Sequence, residues 1–392
     1  MAAPQPLSPA ADPGEAARGL APRARELAPQ GERDRRLPVE LVDAISAAGL
    51  FRMLVPGELG GGEATPAEMV EAVEALAHGD GAAGWCLAVA ATSGMLAAYL
   101  GPEPAREVFG DPGGIAGGVF APKGRAVSGE NGFRARGRWP FASGCEHCDW
   151  LMGGCLVERD GEMLTLESGA PDVRLLLFPA AEVEIIDTWS VAGLRATGSH
   201  DIAVSEQLVP LERSVSLISD APRAQGPLYR FPVFGLLALS IAAVGLGIAR
   251  AAIEELVAQA GARKPTGSKR TLAERPEAQA RVARAQATLS AARALVDEKV
   301  GAAWEAAGAS GEVSLQSRAD LRLASTYAIN ASREVTDAMY ELGGGAAIYE
   351  TNPLQRHLRD VHVAIQHMLV APATWELAGR LLLGQPLDSA QL

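Results

Sequence analysis

The chain has 392 residues, 48% of them apolar and 21% charged, and Lys+Arg 35 against Asp+Glu 47 leaves a net charge of −12. That much apolar chain supports two or three units sharing a large core and argues against extended disorder. Acid is in excess and no dense basic stripe is present, so nucleic acid and anionic membrane are poor partners.

Residues 1–24 are Ala/Pro-rich and read as a flexible tail, in which Pro4, Pro6, Asp12 and Glu15 interrupt any apolar run of the kind a secretion signal needs. The block 25–112 is helical in pattern. Leu37-Pro38 opens a helix running through Leu41, Val42, Ile45 and Ala48 and stopping at Gly49. The glycine-rich stretch 54–62 lacks the Gly-Lys-Ser/Thr of a phosphate loop, and no strand precedes it. Thr65 or Pro66 starts the next helix, with Met69, Val73 and Leu76 on one face and His78-Gly79 at its end. Residues 85–100 form a third, largely buried helix.

Between residues 113 and 220 alternation replaces helical spacing. Residues 155–166 read as a hairpin around an Asp160-Gly161 turn, with further strands at 173–178, 183–186 and 201–204. The pattern predicts a compact antiparallel sandwich or barrel. Its centre is the stretch 138–150, Arg-Trp-Pro-Phe-Ala-Ser-Gly-Cys-Glu-His-Cys-Asp-Trp, in which Trp139 and Trp150 bracket a corner bearing Pro140, Ser143 and Gly144. Two readings stand: a wall for a flat aromatic ligand such as a flavin ring, or a buried tryptophan corner capped by a serine. Cys145 and Cys148 have the Cys-x-x-Cys spacing, but no second pair and no βαβ unit accompany them. With Cys86 and Cys155 they read as reduced structural thiols of a cytosolic protein, with no metal site.

Residues 221–392 read as a four-helix bundle. The first helix contains an uncharged span, 231–249, of membrane-crossing length, yet Gly235, Ser240, Gly245 and Gly247 suit close packing inside a bundle. The second carries Val282, Ala285, Leu289, Ala292 and Val296; the third carries Leu321, Ala324, Ala328, Ala331, Val335 and Leu342. The fourth opens with Asn352 as N-cap and Pro353 in the first turn, and Pro372 should kink it. On that last helix Arg356, Asp360 and His367 fall on one stripe, with His362 nearer the apolar face. A histidine oriented by charge and facing a cavity can exchange a hydrogen bond with a substrate hydroxyl; a solvated polar face is the alternative. Arg263, Lys264, Lys269 and Arg270 form either a basic surface loop or a phosphate clamp, and Gly343, Gly344 and Gly345 allow a close approach at the end of the third helix.

From about residue 25 to 385 the order of helical block, β block and four-helix bundle resembles the acyl-CoA dehydrogenase fold, an α+β architecture. Three motifs are similar to its flavin-dependent monooxygenase branch: residues 137–144 (Gly-Arg-Trp-Pro-Phe-Ala-Ser-Gly), Asp187-Thr-Trp189 followed by 193–199 (Gly-Leu-Arg-Ala-Thr-Gly-Ser), and 353–360 (Pro-Leu-Gln-Arg-His-Leu-Arg-Asp) followed by Gln366-His367. The Thr-Glu-Pro…Gly-Ser-Asp run of the dehydrogenases is missing from residues 117–125. The resemblance implies the oxygenase half of a two-component system. Such a protein takes reduced flavin (FMNH2 or FADH2) from a separate NAD(P)H:flavin reductase and hydroxylates, or N-oxidises, an aromatic or polycyclic small molecule. It further implies a cytoplasmic homotetramer.

By position, Ser143 matches the serine beside the flavin N5/C4a edge that helps hold the C4a-hydroperoxide, and His367 the histidine that positions or deprotonates the reacting group. Trp139 and Ser199 would border the flavin. Arg263 with Gly343 and Gly344 would reach its tail, across a subunit boundary. Two departures bear on this. Residues 90–94 (Ala-Ala-Thr-Ser-Gly) stand where hydroxylases of the branch often bear a histidine. Glu350 falls where dehydrogenases place their catalytic base, which leaves acyl-CoA dehydrogenation as an alternative; a non-catalytic ligand-binding member of the fold is another.

Overall fold

A computed structural model describes residues 12–264, 267–309, 312–387 and 392. The N-terminal block comprises α1 (Pro13–Asp34), α2 (Val39–Ala47), α3 (Pro66–Gly79), α4 (Gly81–Gly94) and α5 (Pro102–Phe109). The β block follows with β1 (Ala116–Gly129), β2 (Gly132–Ala142), β3 (Trp150–Arg159), β4 (Glu162–Met163), β5 (Val173–Pro179), β6 (Glu184–Ile186), β7 (His200–Val209) and β8 (Ser214–Val215). The short α6 (Pro227–Arg230) leads into α7 (Val233–Ala260), α8 (Pro276–Ala309), α9 (Leu315–Gly343), α10 (Pro353–Ala364) and α11 (Ala373–Leu382).

The tail expected over residues 1–24 is helical from Pro13 onward, and residues 1–11 lie outside the described ones. Asp12 caps α1 by accepting from the Glu15 amide, and Ala17, Ala21, Ala24 and Ala28 form a buried stripe three or four residues apart. What reads as low complexity is a row of small side chains that lets α1 lie close to α3. Local signals place α2 and α3 as expected, whereas the helix expected over residues 85–100 begins at Gly81 and gives way to a 3-10 turn at Met95. Thr65 and Glu68 form a reciprocal capping box at the start of α3, with Thr65 N–H donating to Glu68 Oε2 at 2.7 Å, a device that stabilises the helix by about 1 kcal/mol.

The β block is one mixed sheet of order β6-β7-β2-β1-β3-β5-β8, with β4 paired to β3, and not the purely antiparallel arrangement expected. β2 turns back on β1, and its other edge is taken by β7. β3 must therefore step over β1 to find an edge, and it runs parallel to β1. The crossing segment is the corner between Ala142 and Trp150. It is pinned to the start of β1 by Asp149, whose carboxylate accepts from Ile115 N at 2.9 Å while its own N–H donates to Ile115 O at 2.8 Å. The Asp160-Gly161 hairpin is as expected, both residues having positive φ and joining Arg159 to Glu162.

α7 is buried along most of its length, between α3 and α9. A Cβ at Gly245 would lie 2.3 Å from Ile329 Cδ1, and one at Gly247 2.4 Å from Glu74 O, so these glycines permit the close packing expected of them. The last helix is broken well before the kink expected at Pro372, which instead caps α11. α10 ends at Ala364, a single 3-10 turn spans Met368–Val370, and α11 resumes at Ala373. That break takes His367 off the helix.

Candidate active site

Ser143 sits at the corner that carries the chain from β2 across β1. Phe141 adopts a left-handed φ of 69° and Ser143 N–H donates to Phe141 O at 2.9 Å, which turns the strand sharply and aims the serine away from the sheet. Gly144, at φ 70°, donates its N–H to Thr197 O at 2.8 Å and ties the corner to the loop before β7. From α4, Trp85 Nε1 donates to Ser143 Oγ at 3.0 Å. Behind the serine, Ser143 Oγ lies 2.8 Å from Ser199 Oγ, Ser199 Oγ lies 2.6 Å from Thr197 Oγ1, and Thr197 Oγ1 donates to Leu194 O at 2.8 Å. All three hydroxyls are buried.

His367 arrives from the other end of the chain. As N-cap of the 3-10 turn it accepts the Leu369 N–H on Nδ1 at 3.3 Å, which assigns the ring proton to Nε2. Its ring meets Trp85 edge-on, with centroids 5.7 Å apart and planes at 69°. Burial, with a smaller effect of the Arg322 cation, pushes its pKa down to about 4, so the imidazole is neutral at physiological pH. Trp85 thus joins Ser143 to His367, one partner through its N–H and the other through its ring. The sequence pattern placed Trp85 only in a buried helix; its contacts come entirely from the tertiary fold. Next to this turn, Leu369 packs with Leu237 and Ala238, and Phe120 and Phe234 complete a small apolar cluster.

Two supports hold the constellation. Asp80 caps α4 by accepting from Ala83 N at 3.0 Å, which fixes the first turn of the helix that bears Trp85. Asp360 of α10 accepts from Leu194 N at 2.6 Å, and Leu194 has a left-handed φ of 49°. Burial, and then the charge of Asp80, push the Asp360 carboxyl up to about 7. Arg356 and Asp360 are buried on α10 while His367 lies beyond its end, so the three do not form the stripe expected. His362 is exposed and pairs with Asp337 at 2.7 Å instead of lying near the apolar face.

Trp139 does not border a ligand space. It is wholly enclosed, its N–H donates to Gly154 O at 2.7 Å, and a Cβ at Gly153 would lie 2.5 Å from the indole. Glycines at 124, 137 and 153 leave the groove that the ring fills, so its role is to stiffen β2 from behind the corner. Ser199 and Ser143, in contrast, are brought together. Cys145 and Cys148 lie in the same corner with their Sγ atoms near the carbonyls of Gly198 and Gly144. Burial pushes Cys145 up to about 12 and Cys148 well above its ordinary value, so both remain thiols at neutral pH. Among the described residues no group of three or more His, Cys, Asp or Glu is placed to hold a metal. Glu350 lies on the exposed turn before α10, its backbone carbonyl accepting from Gln355 Nε2 at 3.2 Å.

Arg263 leaves the basic loop and lies over the glycine turn. A Cβ at Gly344 would stand 3.3 Å from its Nη2 and one at Gly343 3.8 Å from its Nη1, and that Nη1 is buried with no hydrogen-bond partner among the described residues. Lys264, Lys269 and Arg270 stay exposed. A buried guanidinium N–H over a side-chain-free turn fits an anionic group such as a flavin phosphate. Arg322, the cation that acts on His367, lies near the start of α9 and Gly343 at its end, a separation of roughly 30 Å along the helix.

The acyl-CoA dehydrogenase N-terminal domain matches residues 15–108, and the acyl-CoA dehydrogenase C-terminal domain matches residues 239–372. Indole-3-acetate monooxygenase of Pseudomonas putida is 36% identical over 382 residues, which cover 95% of each chain. The flavin-dependent monooxygenase oxygenase subunit HsaA of Mycobacterium tuberculosis is 30% identical over 357 residues, 89% of each chain. The solved structure of XiaF from Streptomyces sp., in complex with FADH2 and glycerol, matches with a TM-score of 0.87 at 29% identity, covering 97% of this chain and 96% of that one. With both ends of its fold matched and relatives of this kind along nearly its whole length, the chain belongs to the flavin-dependent monooxygenases built on the acyl-CoA dehydrogenase fold, as an oxygenase component that uses reduced flavin.

Proposed function

We propose that Ser143 and His367 are the groups of this chain that meet flavin and substrate, and that the reaction is hydroxylation of an aromatic or polycyclic small molecule. The observation that carries the reading is the convergence of a buried serine and a neutral histidine on opposite sides of Trp85. Reduced flavin supplies the electrons and the activation of O2. Ser143 presents a hydrogen-bond partner at the flavin edge in a dry setting, where such a bond is stronger than in water. With Nδ1 engaged by Leu369, His367 presents a donor at Nε2, which favours positioning of an oxygen atom over removal of a proton from it. Phe120, Phe234, Leu237 and Leu369 offer apolar surface for a flat ring beside it.

Arg263, Gly343 and Gly344 are proposed to hold the flavin tail. Because they lie so far along α9 from the His367 level, they serve a flavin seated on a neighbouring subunit, which requires at least a dimer and suits the homotetramer. A separate NAD(P)H:flavin reductase in the same cytoplasmic compartment is proposed as the source of reduced flavin, a reading supported by the name of the relative described as an oxygenase subunit. Glu350, exposed on its turn, is given no part in the chemistry. Replacing His367 by Ala tests the assignment: product should vanish while O2 consumption continues with release of H2O2. Full coupling of O2 to product in that variant would remove His367 from the site.

A further inference from the structure

The hydroxyls behind Ser143 have a defined direction. An indole N–H can only donate and a backbone carbonyl can only accept. At one end Trp85 donates to Ser143, and at the other Thr197 spends its hydroxyl proton on Leu194 O at 2.8 Å. The 2.6 Å contact between Thr197 and Ser199 therefore uses the Ser199 proton, and the 2.8 Å contact between Ser199 and Ser143 uses the Ser143 proton. Ser143, Ser199 and Thr197 are buried, at 7%, 3% and 1% exposure, so no solvent proton competes within the relay. Ser143 is left with one lone pair and no free proton. Toward any group that meets its remaining side it is an acceptor only.

We infer that Ser199 and Thr197 are positioning residues that hold Ser143 as an acceptor and thereby make this site select reduced over oxidised flavin. The inference rests on the proposal that Ser143 meets the flavin edge at N5. That atom carries a hydrogen in reduced flavin and a bare lone pair in oxidised flavin. An acceptor-only hydroxyl pairs with the first and faces the second lone pair to lone pair. An oxygenase component that receives flavin from another protein needs this asymmetry, since it must capture the reduced form and let the spent form go. Leu194 is a suitable terminus, because its amide is held by Asp360 and its carbonyl also accepts from Trp189 Nε1 at 3.2 Å, so the peptide cannot turn over to reverse the relay.

The test is a pair of anaerobic titrations of the purified full-length protein, one with dithionite-reduced FMN and one with oxidised FMN. The readout is the ratio of the two dissociation constants. Wild type should favour the reduced form. Ser199→Ala frees the Ser143 proton, and Thr197→Val frees it by letting Ser199 turn, so each should shrink the ratio by about tenfold, the worth of one hydrogen bond changing sign. Thr197→Ser keeps the hydroxyl and should keep the ratio. A loss of packing alone would weaken both forms alike and leave the ratio unmoved. A wild-type ratio retained in Ser199→Ala and Thr197→Val overturns the relay, as does a wild type without preference. Wild type that binds neither form, of FMN or of FAD titrated in the same way, overturns instead the placement of flavin at Ser143.

Discussion

Asp360 is the buried group whose replacement reports most directly on how the site is supported. Its carboxyl is raised from an ordinary 3.8 to about 7, first by burial and then by Asp80. A carboxyl with a raised folded value contributes stability that is complete below its unfolded pKa and is lost as pH rises through the folded one. The gap corresponds to on the order of 4 kcal/mol in all, of which about 2.5 kcal/mol falls between about pH 5 and about pH 8. Asp360→Asn keeps an oxygen to accept the Leu194 N–H and removes the titration. Unfolding entropy of ~2.1 cal/mol/K per residue makes about 3 °C the expected change for a chain of this length. Thermal denaturation across that range should therefore show the wild-type Tm falling by about 3 °C relative to the variant as pH rises. His147, His357 and His367, whose pKa values are pushed down to about 4, about 3 and about 4 by burial, act in the opposite sense, losing stability as pH falls. They are common to both proteins and cancel in the difference. Parallel Tm curves would show that the Asp360 carboxyl is not raised by its burial.

Trp85→Phe keeps a ring against His367 and removes the donor to Ser143; it should cost on the order of 1 kcal/mol of stability and lower the yield of product per O2. Unchanged stability and coupling, read by denaturation and by H2O2 assay, would show that Trp85 does not join the two residues. Arg263→Ala should weaken FMN binding by about tenfold or more while leaving riboflavin, which lacks the phosphate, unaffected. Equal weakening of both ligands would assign Arg263 to packing against the glycine turn.

Much of this protein was legible in its local chemistry. Thr65-Pro66, Asn352-Pro353 and Asp160-Gly161 mark element boundaries that the fold keeps, because caps, proline and positive φ act over a few residues and need no distant partner. The glycines of α7 announced close packing for the same reason. Residues 13–24 were misread because a stripe of alanines looks like a tail until a neighbouring helix covers it. Periodicity can say which side chains share a face, and it cannot say what that face meets. Only the tertiary structure could send β3 across β1, enclose Trp139 among three glycines, and break the last helix at Ala364 so that His367 turns toward Trp85. The joining of α4, the β2 corner and the turn after α10 is likewise a long-range outcome. It is decided by which buried surfaces fit together while backbone hydrogen bonds and most buried polar groups find partners.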